Sequence, residues 1–292
     1  MENRIRFGPS GNSESFYGQG NDSTLQMPMW IHGMGLDAFE YSFGRGVRLG
    51  EDKAREIALE AQKYDVQLSV HMPYFINLAV EDPEKRDKNI GYFMDSLKVA
   101  CALGAKRAVF HPGSATGGER EDILVRAKAF LKDIIAQLDA AGFGGITLCA
   151  ETMGKINQLG SLEEVIELCA VDERLLPAVD FGHLHTRGLG AINSKQDYAD
   201  ILDKLENGIG RERTSVMHVH FSRIEFTKGG EKMHHTFKDT QYGPEFFPLG
   251  ELIAERGYTP VLICESKGTM AEDAVEMRKM YQQSINCLFN HA

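Results

Sequence analysis

The chain contains 292 residues, 42% of them hydrophobic, and carries a formal net charge of −10 at pH 7. This length suits one large domain or two ordinary ones, and the apolar content is normal for a soluble globular protein with a sizeable core. The acidic charge excludes a protein that binds nucleic acid mainly through non-specific attraction, although it is compatible with one local binding patch.

The cysteines and the start of the chain predict a reduced, cytoplasmic protein. The five cysteines are scattered and form no CxxC pair, as is typical of intracellular proteins. The start, MENRIRFGPSG, has no signal-peptide pattern. No apolar run approaches the roughly 18 residues that span a membrane, so we expect no membrane partner.

Short apolar runs alternate with longer amphipathic segments along the whole chain. The first helical pattern covers 51–64, a second covers 120–142, and Ser161 with Glu164 forms a capping box at the start of a third. The strand-like runs cover 4–8, 36–43, 66–73, 105–113, 145–152, 175–183, 215–222 and 259–266. This alternation predicts a parallel sheet with right-handed crossovers. Eight such units favour an α/β fold with a single (β/α)8 TIM barrel over residues 1–292.

Six consecutive predicted strands, the third to the eighth, end in histidines or carboxylates. These residues are His71, His111, Glu151, Asp180 with His183 just beyond, the pair His218 and His220, and Glu265. A single one of them would be explained by a hydrogen-bonded core histidine or a helix N-cap. Because the carboxyl ends of all barrel strands meet around one mouth, the whole set predicts a shared site.

Interleaved imidazoles and carboxylates are suited to Zn²⁺, with Mn²⁺ as the second choice. One ion needs three or four protein ligands, and this mouth offers seven or eight, so we expect two or three ions. His218 and His220 both point into the barrel. We expect His220, nearer the mouth, to be the ligand and His218 to lie in the layer beneath.

The chain resembles the endonuclease IV family of apurinic/apyrimidinic endonucleases, within the xylose-isomerase-like barrels. The resemblance rests on VHMPYFINL (70–78), VFHPGS (109–114), CAET (149–152), VDFGHLH (179–185), HVHFSR (218–223) and LICES (262–266). It implies three zinc ions: one on His71, His111 and Glu151, a second on Glu151, Asp180, His220 and Glu265, and a third on His183 and His234. It also implies that Tyr74 enters the DNA at the damaged site and that Arg45 reaches into the duplex.

One position departs from the family pattern. The family completes the third ion with an aspartate two residues before the last histidine, where this chain has Lys232. Coulomb repulsion between an ammonium and a dication predicts a weakened or missing third ion, or one completed by Glu231, Asp239 or water. His235 is an alternative to His234.

Basic residues near the strand ends are candidates for phosphate contacts. The lysines of segment 226–239 either bind phosphate or belong to a solvated glycine-rich loop. Arg187 and Arg223, just past strand ends, either bind phosphate or pair with a neighbouring carboxylate.

The resulting hypothesis is a monomeric, zinc-dependent endonuclease that acts on damaged double-stranded DNA. It would cut the phosphodiester 5′ to an abasic site, with Glu151 and Glu265 as catalytic carboxylates. The alternative is a sugar isomerase or epimerase with one divalent ion on Glu151, Asp180, His220 and Glu265. A non-catalytic barrel with a structural metal is disfavoured, because structural zinc sites are usually rich in cysteine and no cysteine lies at a strand end.

Overall fold

Eight parallel strands form a nearly closed barrel in the computed structural model, which describes residues 4–290. In chain order the strands are β1 (Arg6–Pro9), β2 (Ala38–Ser42), β3 (Gln67–His71), β4 (Arg107–Phe110), β5 (Thr147–Glu151), β6 (Leu176–Asp180), β7 (His218–Phe221), β8 (Arg223–Thr227), β9 (Gly230–His235) and β10 (Val261–Cys264). The sheet order is β1-β10-β7-β6-β5-β4-β3-β2, and β8 pairs with β9 in a separate antiparallel hairpin. The predicted (β/α)8 barrel is therefore confirmed.

Helices connect the barrel strands and cover their outer faces. They are α1 (Glu14–Gly18), α2 (Met27–Gly33), α3 (Glu51–Lys63), α4 (Pro83–Ala102), α5 (Arg120–Ala140), α6 (Leu162–Cys169), α7 (Phe181–Arg187), α8 (Lys195–Ile209), α9 (Arg211–Ser215), α10 (Phe247–Arg256) and α11 (Met270–Asn290), with a 3-10 turn at Thr24–Gln26. None of the helices in the described part of the chain is long and apolar enough to cross a membrane.

Side chains at alternate positions of the strands pack either outside the barrel, against the helices, or inside it. One set of strand residues, including Phe110 and Val179, packs with the helices in the large outer core. The intervening residues Val109, Cys149 and Ala178 form a small separate cluster inside the barrel. This two-residue period explains why the strands read as continuous apolar runs.

Gly8 allows the barrel to close between β1 and β2. A Cβ atom at this position would lie 1.7 Å from the carbonyl oxygen of Ala38. The close approach lets Asp37 donate its backbone N–H to Phe7 O at 3.0 Å, and Ser10 forms a parallel bridge with Glu40. Only glycine fits here, because a side chain would force the first and second strands apart.

The predicted helices agree with the structure apart from small differences at their ends. The helix expected at 51–64 ends at Lys63, and the one at 120–142 ends at Ala140. The capping box of α6 forms as predicted: Glu164 N donates to Ser161 Oγ at 3.2 Å, and Ser161 N donates to the Glu164 carboxylate at 2.8 Å.

One strand is shorter than its apolar run, and one expectation about local structure was wrong. The run 175–183 is a strand only up to Asp180, the residue expected to end it, because Asp180 caps α7 and turns the chain into a helix. The segment 226–239, expected as a loop, contains most of the β8–β9 hairpin. Of the predicted domain 1–292, residues 1–3 and 291–292 lie outside the described part, and the domain extent stays a prediction.

Candidate metal centre

Glu151 is the hub of a cluster of side chains at the carboxyl ends of the barrel strands. Its Oε2 atom lies 3.1 Å from His71 Nε2 and 3.0 Å from His111 Nε2. Its Oε1 atom lies 3.0 Å from His220 Nδ1. The carboxylate is thus shared between residues of β3, β7 and the end of β4, which places it between two groups of candidate ligands.

Every second side chain of a barrel strand faces the interior, and this explains why the candidate ligands converge. Val109, Cys149 and Ala178 face the barrel interior. Two residues further along each chain segment, the inward positions are His111, Glu151 and Asp180. The apolar interior therefore ends in the polar cluster, and the ligand candidates extend the packing that holds the barrel together.

A second group adds Asp180 and Glu265 to Glu151 and His220. One candidate ligand atom from each of these four residues lies within 4.8 Å of the others. Asp180 Oδ1 accepts the backbone N–H of His183 at 2.7 Å, whereas the buried Oδ2 atom has no hydrogen-bond partner among the described residues. An orphaned carboxylate oxygen of this kind fits a cation site, since an unpaired buried charge is otherwise costly.

A third group consists of His183, Glu231 and His234. The Glu231 carboxylate lies 3.5 Å from His183 Nε2 and 3.9 Å from His234 Nε2. The Nδ1 atoms of both histidines form hydrogen bonds on the side of the ring away from Glu231. Nδ1 of His183 contacts Thr152 O at 2.9 Å, and Nδ1 of His234 contacts Ser222 Oγ at 2.8 Å. Both Nε2 atoms are therefore directed at the Glu231 carboxylate.

A β-bulge explains why a glutamate, and not Lys232, belongs to this group. Glu225 pairs with Met233 and Phe226 pairs with Glu231, so Lys232 is the extra residue of the β9 strand. The bulge shifts the side-chain alternation and brings the Glu231 carboxylate to the same face of the hairpin as His234. Lys232 Nζ forms a 2.6 Å ion pair with Glu225 Oε1. Glu231, one of the residues expected to replace the aspartate of the family pattern, lies in the group, whereas the number of bound ions stays a prediction.

His234, and not His235, joins the cluster. The His235 ring stacks on Tyr242 with centroids 4.0 Å apart, and its nitrogens face Glu225 at 3.4 Å and Asp239 at 3.7 Å. Asp239 accepts the backbone N–H of Thr236 at 2.9 Å. His235 and Asp239 therefore stabilise the chain that follows the hairpin.

The shifted pKa values follow from the crowding of opposite charges. Burial disfavours the imidazolium of His71, but the hydrogen bond and charge of Glu151 raise its pKa to about 9. Burial likewise opposes a charged His183, and Asp180 and Glu231 raise its pKa to about 9. Burial opposes ionisation of Glu151, yet the neighbouring histidines hold its pKa well below the ordinary value. Such a mixed set of imidazoles and carboxylates binds divalent cations once the ring protons are displaced.

A polar layer lies directly beneath the cluster. Glu40, completely buried on β2, lies 2.9 Å from His220 Nε2 and 3.0 Å from His218 Nε2. It also accepts a hydrogen bond from Ser69 Oγ at 2.9 Å. Burial lowers the pKa of His218 to about 4, so this ring is neutral. His218 thus lies in the lower layer and His220 in the cluster, as expected. Glu40 was not identified from the sequence as a neighbour of the cluster.

An open cavity of about 300 Å³ leads from the cluster to the surface. Tyr74 and Lys155 line it, and Tyr74 is 45% exposed. Arg45 Nε donates to the Tyr74 hydroxyl at 2.8 Å. Tyr74, Arg45 and Lys155 together form the aromatic rim of the cavity.

Two arginines that the sequence suggested as phosphate contacts serve the fold. Arg187 donates to the carbonyl oxygens of Met153, Lys155 and Gln158. Arg223 is buried, donates to Tyr242 O and pairs with Glu245 at 2.7 Å. Arg223 thus pairs with a neighbouring carboxylate, one of the two expected alternatives, whereas Arg187 donates mainly to backbone carbonyl oxygens and lies 4.0 Å from the Glu164 carboxylate.

Sequence relatives include proteins of two kinds. An uncharacterized protein of Methanocaldococcus jannaschii is 32% identical over 250 residues, which cover 86% of this chain and 89% of that protein. A "probable endonuclease 4" of Staphylococcus carnosus is 32% identical over 195 residues, which cover 63% of this chain and 62% of that protein. The corresponding protein of Mycoplasma pneumoniae is 32% identical over 159 residues, 53% of this chain and 52% of its own length. The match thus covers between half and two thirds of these two endonuclease 4 relatives.

Solved structures of similar shape also include two classes of enzyme. A D-tagatose 3-epimerase-like protein has a TM-score of 0.74 and 23% identity and is covered over 98% of its length by 97% of this chain. Endonuclease IV from Thermus thermophilus has a TM-score of 0.67 and 18% identity, with 99% of that chain and 96% of this one covered. At these identities the likeness shows the fold alone. The family model described as xylose isomerase-like TIM barrel matches residues 29–291. The chain therefore belongs to the xylose isomerase-like TIM barrel family.

Proposed function

We propose that the protein is a divalent-metal-dependent endonuclease that hydrolyses the phosphodiester 5′ to an abasic site in double-stranded DNA. The observation that carries the proposal is the size of the ligand set. Beyond the four-residue group around Asp180 and Glu265, the mouth holds the His71–His111 pair and the separate group of His183, Glu231 and His234. A one-metal sugar isomerase needs only the four-residue group, whereas several adjacent ions suit cleavage of a phosphodiester.

The proposed ligands divide between three ions. His71, His111 and Glu151 would hold the first, and Glu151 would bridge to a second that is completed by Asp180, His220 and Glu265. The third would be held by His183, His234 and Glu231, in which Glu231 supplies the carboxylate. Nitrogen and carboxylate donors of this kind suit Zn²⁺, with Mn²⁺ as the alternative.

The chemistry is divided between the cations and the carboxylates. Bound cations would activate a water molecule and neutralise the charge that develops on the phosphate. Glu151, at the hub, orients the attacking water. Glu265 has a side chain that is 17% exposed, against 1% for Glu151. It faces the cavity and would accept a proton from the attacking water as the new bond to phosphorus forms. The bond between phosphorus and the 3′ oxygen breaks, and the 3′ oxygen leaves with a negative charge that the cations would stabilise until it takes up a proton from Glu265 or from solvent.

The aromatic rim would bind the DNA next to the cluster. Lys155 and Arg45 carry positive charge beside the cavity and suit contacts with phosphates on either side of the lesion. The exposed ring of Tyr74 offers a stacking surface for a base or for the gap that a missing base leaves. Local contacts of this kind explain how a chain with a net charge of −10 binds a polyanion.

The test is incision of a duplex oligonucleotide that carries one abasic analogue. We expect chelator-treated protein to be inactive and Zn²⁺ or Mn²⁺ to restore a single cut on the 5′ side, with an undamaged duplex left intact. Glu265→Gln should abolish incision without loss of folding, and Glu255→Gln, a surface carboxylate paired with Lys195, should cut normally. Folded, metal-loaded wild-type protein that leaves the duplex intact would exclude the nuclease.

The second candidate is a sugar epimerase with one ion. The group of Glu151, Asp180, His220 and Glu265 is sufficient for one divalent cation, and a cavity of about 300 Å³ is of the size of small-ligand sites. This candidate predicts ketohexose epimerisation that survives Glu231→Gln. The nuclease predicts no epimerisation and loss of incision in the same variant.

A further inference from the structure

Glu40 is a completely buried carboxylate beneath the metal cluster, and every polar group around it belongs to the barrel interior. Its Oε1 atom lies 2.9 Å from His220 Nε2, and its Oε2 atom lies 3.0 Å from His218 Nε2. Ser69, its register neighbour on β3, donates a hydroxyl hydrogen bond to Oε2 at 2.9 Å. Three elements of the barrel thus meet at one side chain that no solvent reaches.

The contact with Glu40 favours one of the two ring nitrogens of His220 as the carrier of the hydrogen when a cation is bound. Glu40 Oε1 and His220 Nε2 are both buried and have no other hydrogen-bond partner among the described residues, although in their present orientation they do not form a regular hydrogen bond. Because an ionised carboxylate only accepts, this contact favours a hydrogen on Nε2. The lone pair of the ring is then on Nδ1, which lies 3.0 Å from Glu151 Oε1 and 3.7 Å from Glu265 Oε1. The ring is therefore presented to the cluster in the tautomer that binds a metal.

His218 and Ser69 keep the Glu40 carboxylate in place. Each places a nitrogen or a hydroxyl within 3.0 Å of Oε2, which leaves Oε1 for His220 alone. Neither of them touches the candidate ligand carboxylates Glu151 and Glu265 in the described part of the chain. Ser69 therefore acts on the metal centre through the carboxylate of β2, whereas the His218 ring also packs edge-on against the His220 ring, with centroids 5.1 Å apart.

We propose that Glu40 is a positioning residue that orients His220 and fixes its tautomer for the cation shared by Glu151, Asp180 and Glu265. The inference rests on the proposed metal centre but not on the proposed reaction. Because a carboxylate behind a ligand histidine also makes the ring a stronger donor, its loss should weaken metal binding without removing a ligand.

The test compares Glu40→Gln with Ser69→Ala in the full-length protein. Zn²⁺ affinity is measured by competition with a chromophoric chelator, stoichiometry by elemental analysis, and ligand geometry by the visible spectrum of the Co²⁺-loaded protein. Glu40→Gln should lower the affinity of one ion by about 10–100-fold and change the Co²⁺ spectrum, with the ion count at saturation unchanged. Ser69→Ala, which keeps both histidine contacts, should lower affinity less than about threefold.

Several results would overturn the inference. Wild-type affinity and spectrum in Glu40→Gln would mean that the contact is merely structural, and loss of one ion at saturation would make Glu40 a ligand. A wild-type protein that binds no cation at the mouth would also refute it.

If Glu40→Gln does not fold, NMR of the Zn²⁺-loaded wild-type protein decides. A His220 ring with hydrogen on Nε2 supports the inference, and ligation through Nε2 refutes it. None of these readouts uses DNA cleavage, so a failed incision assay leaves the inference standing.

Discussion

Metal binding at the mouth should depend steeply on pH, because the histidines exchange a proton for a cation. The carboxylates raise the pKa of His71 and of His183 to about 9 from an ordinary value of 6.5. Each shift corresponds to about 3 kcal/mol of stabilisation of the charged ring in the metal-free protein. Below pH 9 each of these rings must lose its proton to bind, which costs about tenfold in affinity per pH unit.

The same shifts predict opposite pH trends for the two forms. In the metal-free protein, the stabilisation by the charged rings is fully present below pH 6.5 and is lost as pH rises through about 9. The melting temperature of this form should therefore fall over that window. Zn²⁺ affinity should instead rise by about 100-fold per histidine between pH 7 and pH 9.

The assay is chelator competition at several pH values, with calorimetry in two buffers to count the released protons. His183→Gln should release about one proton fewer than wild type at pH 7. His235→Gln, which removes a histidine outside the cluster, should leave the count unchanged. Affinity that is constant between pH 7 and pH 9, or binding without proton release, would refute the reasoning.

Three further predictions concern the fold, the rim and the third group. Gly8→Ala should prevent folding or strongly lower the urea midpoint, because its Cβ would overlap a backbone carbonyl at 1.7 Å, whereas Gly91→Ala in α4 should stabilise by about 0.5–1 kcal/mol. In fluorescence anisotropy, Tyr74→Ala should weaken binding to an abasic duplex by about 1–3 kcal/mol and Tyr74→Phe much less, because the ring carries the stacking. By elemental analysis, Glu231→Gln should lose one bound ion that Glu225→Gln retains, and equal counts in the two variants would exclude the third site.

The barrel could be predicted from the sequence because each of its strands is covered on both faces. Strands of this kind appear as apolar runs, and the helices between them carry amphipathic patterns and caps such as the Ser161–Glu164 box. The candidate ligands could be anticipated for the same reason, because strand ends in a barrel share one mouth. The strand end at Asp180 was predicted, but the helix that begins directly after it was not, because a carboxylate there serves equally as a last strand residue and as a helix cap.

The hairpin and the lower polar layer depended on information that is weaker in the sequence. Residues 223–235 carry a hairpin signal in their Lys-Gly-Gly turn, but the surrounding histidines and charges obscured the strand pattern. Glu40 was not predicted to belong to the site, although a single carboxylate within an apolar strand is a signal that it has a buried partner. Its partners His218 and Ser69 lie on other strands, and their contact depends on the register of the closed barrel.

Whether a carboxylate or an ammonium lies beside His183 and His234 depends on the register of the β8–β9 hairpin and not on the position of the residue in the motif. In a regular strand, residues two apart share a face, and Lys232 would lie beside His234, at the position where the endonuclease IV pattern that the sequence resembles has an aspartate. One extra residue in β9 reverses this alternation, so Glu231 takes the inner face and the lysine pairs with Glu225. A change of sign at a motif position is therefore not by itself the loss of a ligand. Here the bulge brings the carboxylate of Glu231 to the group of His183 and His234, which is the arrangement that the proposed third site requires.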